Sequence, residues 1–273
     1  MDIKKIFFFL FFFSIFLIAE DNTINIGIAP HSSTRVILET NQDLRVFFEK
    51  YFQRPVQIVT AKNFSEFALR TNQGDFYDLV ITSPNLAVLA EKSAQYTPMM
   101  TYTKGLTSVI LAKDKDILKS KNYPYKIVGL DPVSFATLVA EDWLENQGLH
   151  EGKELIYTYS SASDSAANIL LNNQADMSIM SMPNYLKLPD DIKNLVTIIY
   201  ESSPKPSRVY LAKSKNGISL EEWKKAIEAF SKSPEGKNHI ETNKLEAFKM
   251  IDSSEFKNIE NIVNKTSKRL NNQ

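Results

Sequence analysis

Asp78-Leu79-Val80-Ile81-Thr82-Ser83-Pro84-Asn85 returns later in the chain as Asp176-Met177-Ser178-Ile179-Met180-Ser181-Met182-Pro183-Asn184. Each copy opens on an aspartate, runs through a short strand and ends in a small polar turn containing Ser, Pro and Asn. Each is preceded by a similar step, Asn72-Gln73-Gly74 in one case and Asn173-Gln174-Ala175 in the other. The run Leu79–Ile81 is continuously apolar rather than alternating. That pattern belongs to a strand covered on both faces, as in a parallel sheet between helices. Two such units imply two halves of like architecture, with Asp78 and Asp176 as structural residues entering their strands.

Around the first unit, strands and helices alternate. Ile24 to Ala29 alternates and stops at Pro30, as a strand does. Asp43 is placed to cap a helix carrying Leu44, Phe47, Phe48, Tyr51 and Phe52, stopped by Pro55. Val56 to Ala61 predicts a strand. Phe64, Phe67 and Ala68 predict a short helix ending before Gly74, and a helix through Leu86, Leu89 and Ala90 follows Ser83-Pro84-Asn85. This βαβαβα order implies a parallel sheet with helices on both faces. The second series has strands at Thr107–Lys113, Ile127–Leu130, Leu155–Tyr159 and Met177–Met180. Its helices run through Leu138, Val139, Trp143 and Leu144, and from Ala166 to Asn172. Strands at Thr197–Glu201 and Val209–Ala212 flank Ser202-Ser203-Pro204-Lys205-Pro206. Ser219 and Glu222 form a capping box ahead of the stripe Trp223, Ala226, Ile227 and Phe230. The helical pattern after Ser254 is rich in Asn and Lys and reads as a solvated surface helix with a frayed end.

The chain has 273 residues, with 32 Lys and Arg against 32 Asp and Glu. A formal charge of zero excludes a nucleic-acid binder that works by bulk positive charge. With no cysteine, disulfides, thiolate metal sites and thiol catalysis are excluded. Seven of the 17 phenylalanines fall between Phe7 and Phe16. Lys4 and Lys5 precede an apolar run from Ile6 to Ile18, broken only by Ser14, with the small Ala19 after it. A run of that length spans about 20 Å as a helix, short of the ~30 Å hydrocarbon core. Residues 1–19 therefore read as a secretory signal peptide, the alternative being an uncleaved anchor. The product is expected to be exported and soluble.

Most chemistry-bearing motifs are missing. His31, His150 and His239 are not at zinc-ligand spacing. The glycines are too scattered for a phosphate loop or dinucleotide fingerprint, and there is no Gly-x-Ser-x-Gly elbow. No metal or cofactor is expected. What remains is a set of small polar turns at strand ends: Pro30 to Thr34, Thr82 to Asn85, Asp131 to Thr137, Ser160 to Ser165 and Ser181 to Asn184. Ligands of open parallel sheets bind outside the carboxyl ends of the strands. Free helix N–H groups and Ser or Thr hydroxyls at such turns suit a small anion. For any one turn the competing reading is a plain helix N-cap.

Several of these stretches together resemble the phosphate/phosphonate-binding protein family of ABC transporters, a branch of the two-lobed (type II) periplasmic solute-binding proteins. They are Gly27-Ile28-Ala29-Pro30, Asp78 to Pro84, Thr107 to Asp114, Asp131-Pro132-Val133-Ser134, Ser160 to Asp164, Ser203-Pro204-Lys205-Pro206 and Ser233 to Lys237. The resemblance runs from about Ile24 to Ile240. Two departures stand out. Where the family has a Ser-Thr-Ser-Gly-like run donating to the oxyanion, this chain keeps Ser134 but has Phe135 and Ala136, with Thr137 following. Where the family often has His before Asp, this chain has Ser163.

The resemblance implies an α/β protein of two lobes, each a mostly parallel sheet flanked by helices, joined by two crossing strands. Lobe 1 is drawn at 20–105 plus 207–273, and lobe 2 at 106–206. The implied role is capture of a small oxyanion such as phosphate, phosphite or a phosphonate in the cleft, by hinge closure, without catalysis. The implied partners are the membrane permease and ATPase of an ABC importer, with the receptor itself a monomer. Two alternatives are a ligand-binding module reporting to a membrane sensor and an enzyme on the same fold. The candidate contacts are Ser83, Asn85 and Tyr102 from lobe 1, and Ser134, Thr137, Ser163, Asp164 and Ser181 from lobe 2. Glu201 joins them near the return crossing. Tyr102 is expected beside the solute at the hinge. Asp164 is expected to cap its helix or accept a proton from the ligand, a role Glu201 shares.

Overall fold

The computed structural model describes residues 22–251 and 253–272. The leader expected at 1–19 lies outside the described residues. The chain begins with β1 (Ile24–Ile28), α1 (Thr34–Thr40), α2 (Gln42–Phe52), β2 (Val56–Val59), α3 (Phe64–Gln73), β3 (Leu79–Thr82), α4 (Pro84–Ala94) and β4 (Thr97–Tyr102). It crosses to β5 (Ser108–Ala112), β6 (Tyr125–Gly129), α5 (Phe135–Asn146), β7 (Leu155–Tyr159), α6 (Ser163–Leu171), β8 (Met177–Ser181), α7 (Met182–Leu186), α8 (Asp190–Lys193) and β9 (Thr197–Glu201). It then returns through β10 (Val209–Ala212), α9 (Leu220–Lys232), α10 (Pro234–Thr242), β11 (Phe248–Met250) and α11 (Glu260–Asn271).

The two sheets follow one plan. The first has the order β11-β4-β10-β3-β1-β2 and the second β7-β6-β8-β5-β9. In each, three parallel strands form one side of the sheet: β2-β1-β3 in one and β7-β6-β8 in the other. The strand arriving from the opposite sheet then pairs antiparallel beside the third: β10 beside β3, and β5 beside β8. The strand about to leave forms the next neighbour, β4 or β9, also antiparallel. Both sheets are therefore mixed, because a chain that enters from the far lobe runs against the strand it joins. The matched aspartates perform matched tasks. Asp78 Oδ2 accepts from the Asn25 amide at 2.8 Å and Asp176 Oδ2 from the Lys126 amide at 2.7 Å, each locking the entry of a parallel pair.

Local chemistry sets the helix boundaries. Asn63 accepts the Glu66 amide to start α3, and Gly74 at φ 79° ends it in the left-handed region. Ser219 and Glu222 complete the capping box of α9. The start of α2 departs from the sequence reading: Asn41 is the N-cap, and Asp43 sits inside the first turn. Trp223, Phe48 and Phe230 fill the core between α2, α9 and the first sheet. The crossings themselves pair: the Leu106 amide donates to Lys205 O at 2.8 Å and the Lys205 amide to Leu106 O at 2.9 Å. A Cβ on Gly105 would meet Lys205 O at 2.7 Å, so the close approach requires glycine there.

The final helix corrects the reading of a solvated tail. Ile262, Val263, Thr266 and Leu270 of α11 are buried, because they form one face of the helix and pack on α4 and α5. The polar residues join the second lobe. Lys265 pairs with Asp142, and with Glu145 at 3.1 Å, while Arg269 pairs with Glu141 at 2.9 Å. The Asn and Lys content that suggested solvent exposure belongs partly to this inter-lobe contact. Ile262→Ala should lower the free energy of unfolding by about 2–5 kcal/mol, read by urea denaturation, whereas a frayed tail would give no change.

Candidate ligand-binding site

The carboxyl ends of inner strands of both sheets converge on one cavity. Ala29 and His31 follow β1, Thr82 and Ser83 end β3, and Ser134, Phe135 and Ala136 open α5 after β6. Ser181 ends β8, and Asn184 lies one turn into α7. Leu106 and Arg208 come from the two crossings. The space open to the centre of a water-sized sphere is ≈ 30 Å³, about twice what one water needs, so the lobes enclose a small solute or none. They touch directly around it. Ser163 Oγ and Asn184 Nδ2 donate to His31 O at 2.7 and 3.0 Å, and Asn85 Nδ2 donates to Val133 O at 3.0 Å.

Three serines at this cavity occupy helix N-cap positions, yet none caps its helix. Ser83 precedes α4, Ser134 precedes α5 and Ser181 precedes α7, and no side-chain cap bond is made at any of them. Elsewhere in the chain, Asn63, Ser219 and Ser233 cap in the ordinary way. The Ser83 hydroxyl donates instead to Asn85 Oδ1 at 2.7 Å. Ser181 Oγ, Thr82 Oγ1 and His31 Nε2 are buried without a partner. A buried polar atom left unpaired costs about 1–3 kcal/mol; three of them around one cavity point to a ligand that satisfies them.

The charge in the cavity is positive. Arg208 is buried, reaches Asn184 Oδ1 at 3.2 Å, and makes no ion pair among the described residues. Burial pulls its pKa down. Burial, followed by the nearby Arg208 and Lys187, holds His31 well below the ordinary histidine range. His31 Nδ1 lies 2.7 Å from Ala29 O. In the neutral ring that nitrogen carries the proton, leaving Nε2 as a lone pair facing the cavity. Lys187, whose Nζ donates to Asn243 Oδ1 at 2.8 Å, is brought down to about 7 by burial and by Arg208 and Lys244. No Asp or Glu lines the cavity. Asp131 lies in an adjoining space with Lys62 and Tyr159. Its Oδ1 accepts from Ser65 Oγ and the Val133 amide, and its Oδ2 from the Ser65 amide.

Of the candidates read from sequence, Ser83, Ser134 and Ser181 line the cavity, and Asn85 and Ser163 hold the lobes together beside it. The other four lie elsewhere. Tyr102 is packed in the first core, its hydroxyl 2.8 Å from Tyr210 Oη and 3.3 Å from His239 Nε2. Thr137 points back under its own turn, where Oγ1 accepts the Leu130 amide at 3.3 Å. Asp164 is exposed on the first turn of α6, whose N-cap is Ala162. Glu201 is exposed at the end of an edge strand. Sequence reasoning missed His31, Thr82, Asn184 and Arg208 as site residues. His31, Thr82 and Asn184 lie within turns already marked by position. Arg208 carried no local signal, since it lies two residues past a Pro-rich crossing.

Two like lobes, two crossing strands and a polar cavity between the strand ends define a bilobal solute-binding protein. The chain belongs to the family of ABC transporter phosphonate periplasmic substrate-binding proteins, whose model it matches over residues 26–256. No curated protein matches by sequence. Solved structures agree in fold. A binding-protein component of an ABC phosphonate transporter from Pseudomonas aeruginosa is 15% identical with a TM-score of 0.78, over 92% of this chain and 89% of that one. PhnD1 from Prochlorococcus marinus, in complex with methylphosphonate, is 16% identical with a TM-score of 0.78, over 91% of this chain and all of the other. A protein from Xanthomonas citri bound to chloride ion is 13% identical with a TM-score of 0.69, over 92% of this chain and 99% of that one. The family's role is substrate binding, not catalysis. Among the described residues no helix is long and apolar enough to cross a membrane.

A buried histidine of the first core makes stability depend on pH. His239 is held at about 3 by burial, then by Lys187 and Arg208, against ~6.5 when unfolded. Below pH ~6.5 the unfolded chain therefore binds a proton that the folded one refuses, and stability falls toward pH 3. The melting-temperature difference between the wild type and His239→Gln should shrink as pH falls from 7.5 to 4.5. A constant difference would show that His239 does not resist protonation.

Proposed function

We propose that this protein is the exported solute receptor of an ABC importer and that its cavity takes a small phosphonate-like oxyanion. The observation that carries the reading is Arg208, a buried guanidinium without a carboxylate partner, set among unpaired polar atoms from both lobes. An oxyanion between Arg208 and the hydroxyls of Thr82, Ser134 and Ser181 would supply the missing counter-charge and hydrogen bonds together. The α5 N-terminus, which opens at Ser134, adds its dipole. The neutral His31 would accept from a protonated ligand oxygen through Nε2. Ser83, Asn85 and Ser163 would hold the lobes in register. Tyr102, Thr137, Asp164 and Glu201 have no place in this reading.

Because the contacts come from both lobes and both crossings, binding favours the closed form over the open one by its differential affinity. The lobes are drawn at 20–105 plus 207–273 and at 106–206, with Leu106 and Lys205 at the hinge. A monomer of this kind, carried to the periplasm by its leader, would deliver solute to a membrane permease driven by an ATPase. The family membership supports that assignment over a sensor module.

Arg208→Met should separate binding from folding. Affinity for methylphosphonate, measured by calorimetry, should fall by about 2–5 kcal/mol, thirtyfold or more. The unliganded melting temperature should stay level or rise, because an unpaired buried cation is removed. Ser134→Ala should cost about tenfold in affinity, near 1.4 kcal/mol, with the unliganded melting temperature unchanged. Undiminished affinity in Arg208→Met would remove the guanidinium from the site.

A further inference from the structure

The turn between β6 and α5 is held from the opposite lobe at three consecutive residues. Asp131 Oδ1 accepts from Ser65 Oγ of α3 at 3.0 Å, Pro132 O from Arg269 Nη1 of α11 at 2.6 Å, and Val133 O from Asn85 Nδ2 of α4 at 3.0 Å. The next residue, Ser134, lines the cavity. Asn85 also links the cavity to α11: its Nδ2 donates to Thr266 Oγ1 at 2.8 Å, and its Oδ1 accepts from the cavity residue Ser83 at 2.7 Å. On α5, Arg269 pairs with Glu141 at 2.9 Å. Glu141 is 2% exposed; burial pushes its pKa up, and Arg269 opposes that rise. Helix α11 lies beyond residue 256, where the match to the family model ends.

We infer that α11 is a strap from the first lobe that holds the second lobe closed, and that Arg269 is a positioning residue acting on the cavity through the Asp131–Ser134 turn. The inference rests on the hinge closure proposed above and not on the identity of the solute. The chain anchors α11 to the first lobe, because it follows β11, which pairs with β4 in the first sheet. Its polar residues reach across to α5. Rotation about Leu106 and Lys205 would draw α5 away from Arg269. Opening would then separate Glu141 from its guanidinium and free Pro132 O and Val133 O in the same movement. A charge-assisted bond to a buried carboxylate is among the stronger contacts, and the more exposed Lys265 pairs contribute less. Arg269 therefore biases the equilibrium by contacts made in the closed form alone, without touching the solute.

The test is a distance measurement across the cleft in the unliganded full-length mature protein. The chain has no cysteine, so Leu69→Cys on α3 and Ser165→Cys on α6, both exposed, place one spin label on each lobe. Arg269→Gln is expected to raise the ratio of longer to shorter distances fivefold or more, and coincident distributions would overturn the strap. Arg269→Gln leaves the buried Glu141 without its partner, which alone could unfold the chain. The double variant Glu141→Gln/Arg269→Gln removes both charges and should shift the distances the same way. A lower melting temperature with unmoved distances in the double variant would make the pair merely structural and overturn the inference. Stopped-flow binding of methylphosphonate gives a second readout: the dissociation rate should rise fivefold or more while the association rate does not fall. An unchanged dissociation rate would count against the strap in the same way. If the wild type does not bind methylphosphonate, the oxyanion reading fails, and the distances still decide the strap.

Discussion

A guanidinium enclosed between two lobes without a counter-charge is the constraint around which the cleft is organised. Arg208 sits on the returning crossing, one residue before β10, so closing the lobes removes it from water. The penalty for isolating such a charge is several kcal/mol unless a partner arrives with it. Asn184 offers one neutral acceptor at 3.2 Å, which does not neutralise a cation. On the proposed reading, closure and anion capture become one event. Direct lobe-to-lobe bonds through His31 O, Val133 O and Asp131 hold the two halves together around it, and the proposed solute would supply the charge balance.

The backbone plan puts this charge where it is needed. In each sheet the arriving strand pairs antiparallel beside the third parallel strand. The two crossings therefore lie side by side, joined at Leu106 and Lys205. A residue on a crossing faces the space between the lobes rather than either core. Leu106 and Arg208 contribute to the cavity by that route, one as apolar wall and one as charge. The α11 helix adds a second tie on the far side, packing on α4 while Lys265 and Arg269 pair with acidic residues of α5. Exposed ion pairs contribute little individually. The half-buried Arg269 against the buried Glu141 is the stronger of these contacts, since Arg269 also donates to Pro132 O at 2.6 Å.

The fold was legible because its signals are local and repeated. Asp78 and Asp176 announced strand entries, the continuous apolar runs announced double-sided burial, and the recurrence of the unit announced two lobes. The site was legible only in part. Position in the turns marked Ser83, Ser134 and Ser181, because strand-end turns in parallel sheets converge by topology. Side-chain direction was not legible. Thr137, at the first turn of a helix, turns back to the Leu130 amide. Asp164 faces solvent because α6 buries Ser163, Ala166 and Ala167 instead. Tyr102 joins a phenol–imidazole cluster with Tyr210 and His239 that exists only once β4, β10 and α10 are assembled. Arg208 could not be singled out from the other basic residues, because what distinguishes it is burial without a carboxylate, a property of the assembled chain. The tail misled for a related reason: its Asn and Lys residues looked like solvent-facing charge, but the apolar stripe Ile262, Val263 and Leu270 was the stronger signal.

The hydroxyls and the guanidinium of Arg208 that line the cavity could hold an anion in two different ways. Hydroxyls and amides around a helix N-terminus bind an oxyanion through geometry, each bond supplying a modest net energy that depends on direction. A guanidinium supplies a full charge and a planar fork of donors, and in a dry cavity its attraction to the anion is far less screened than in water.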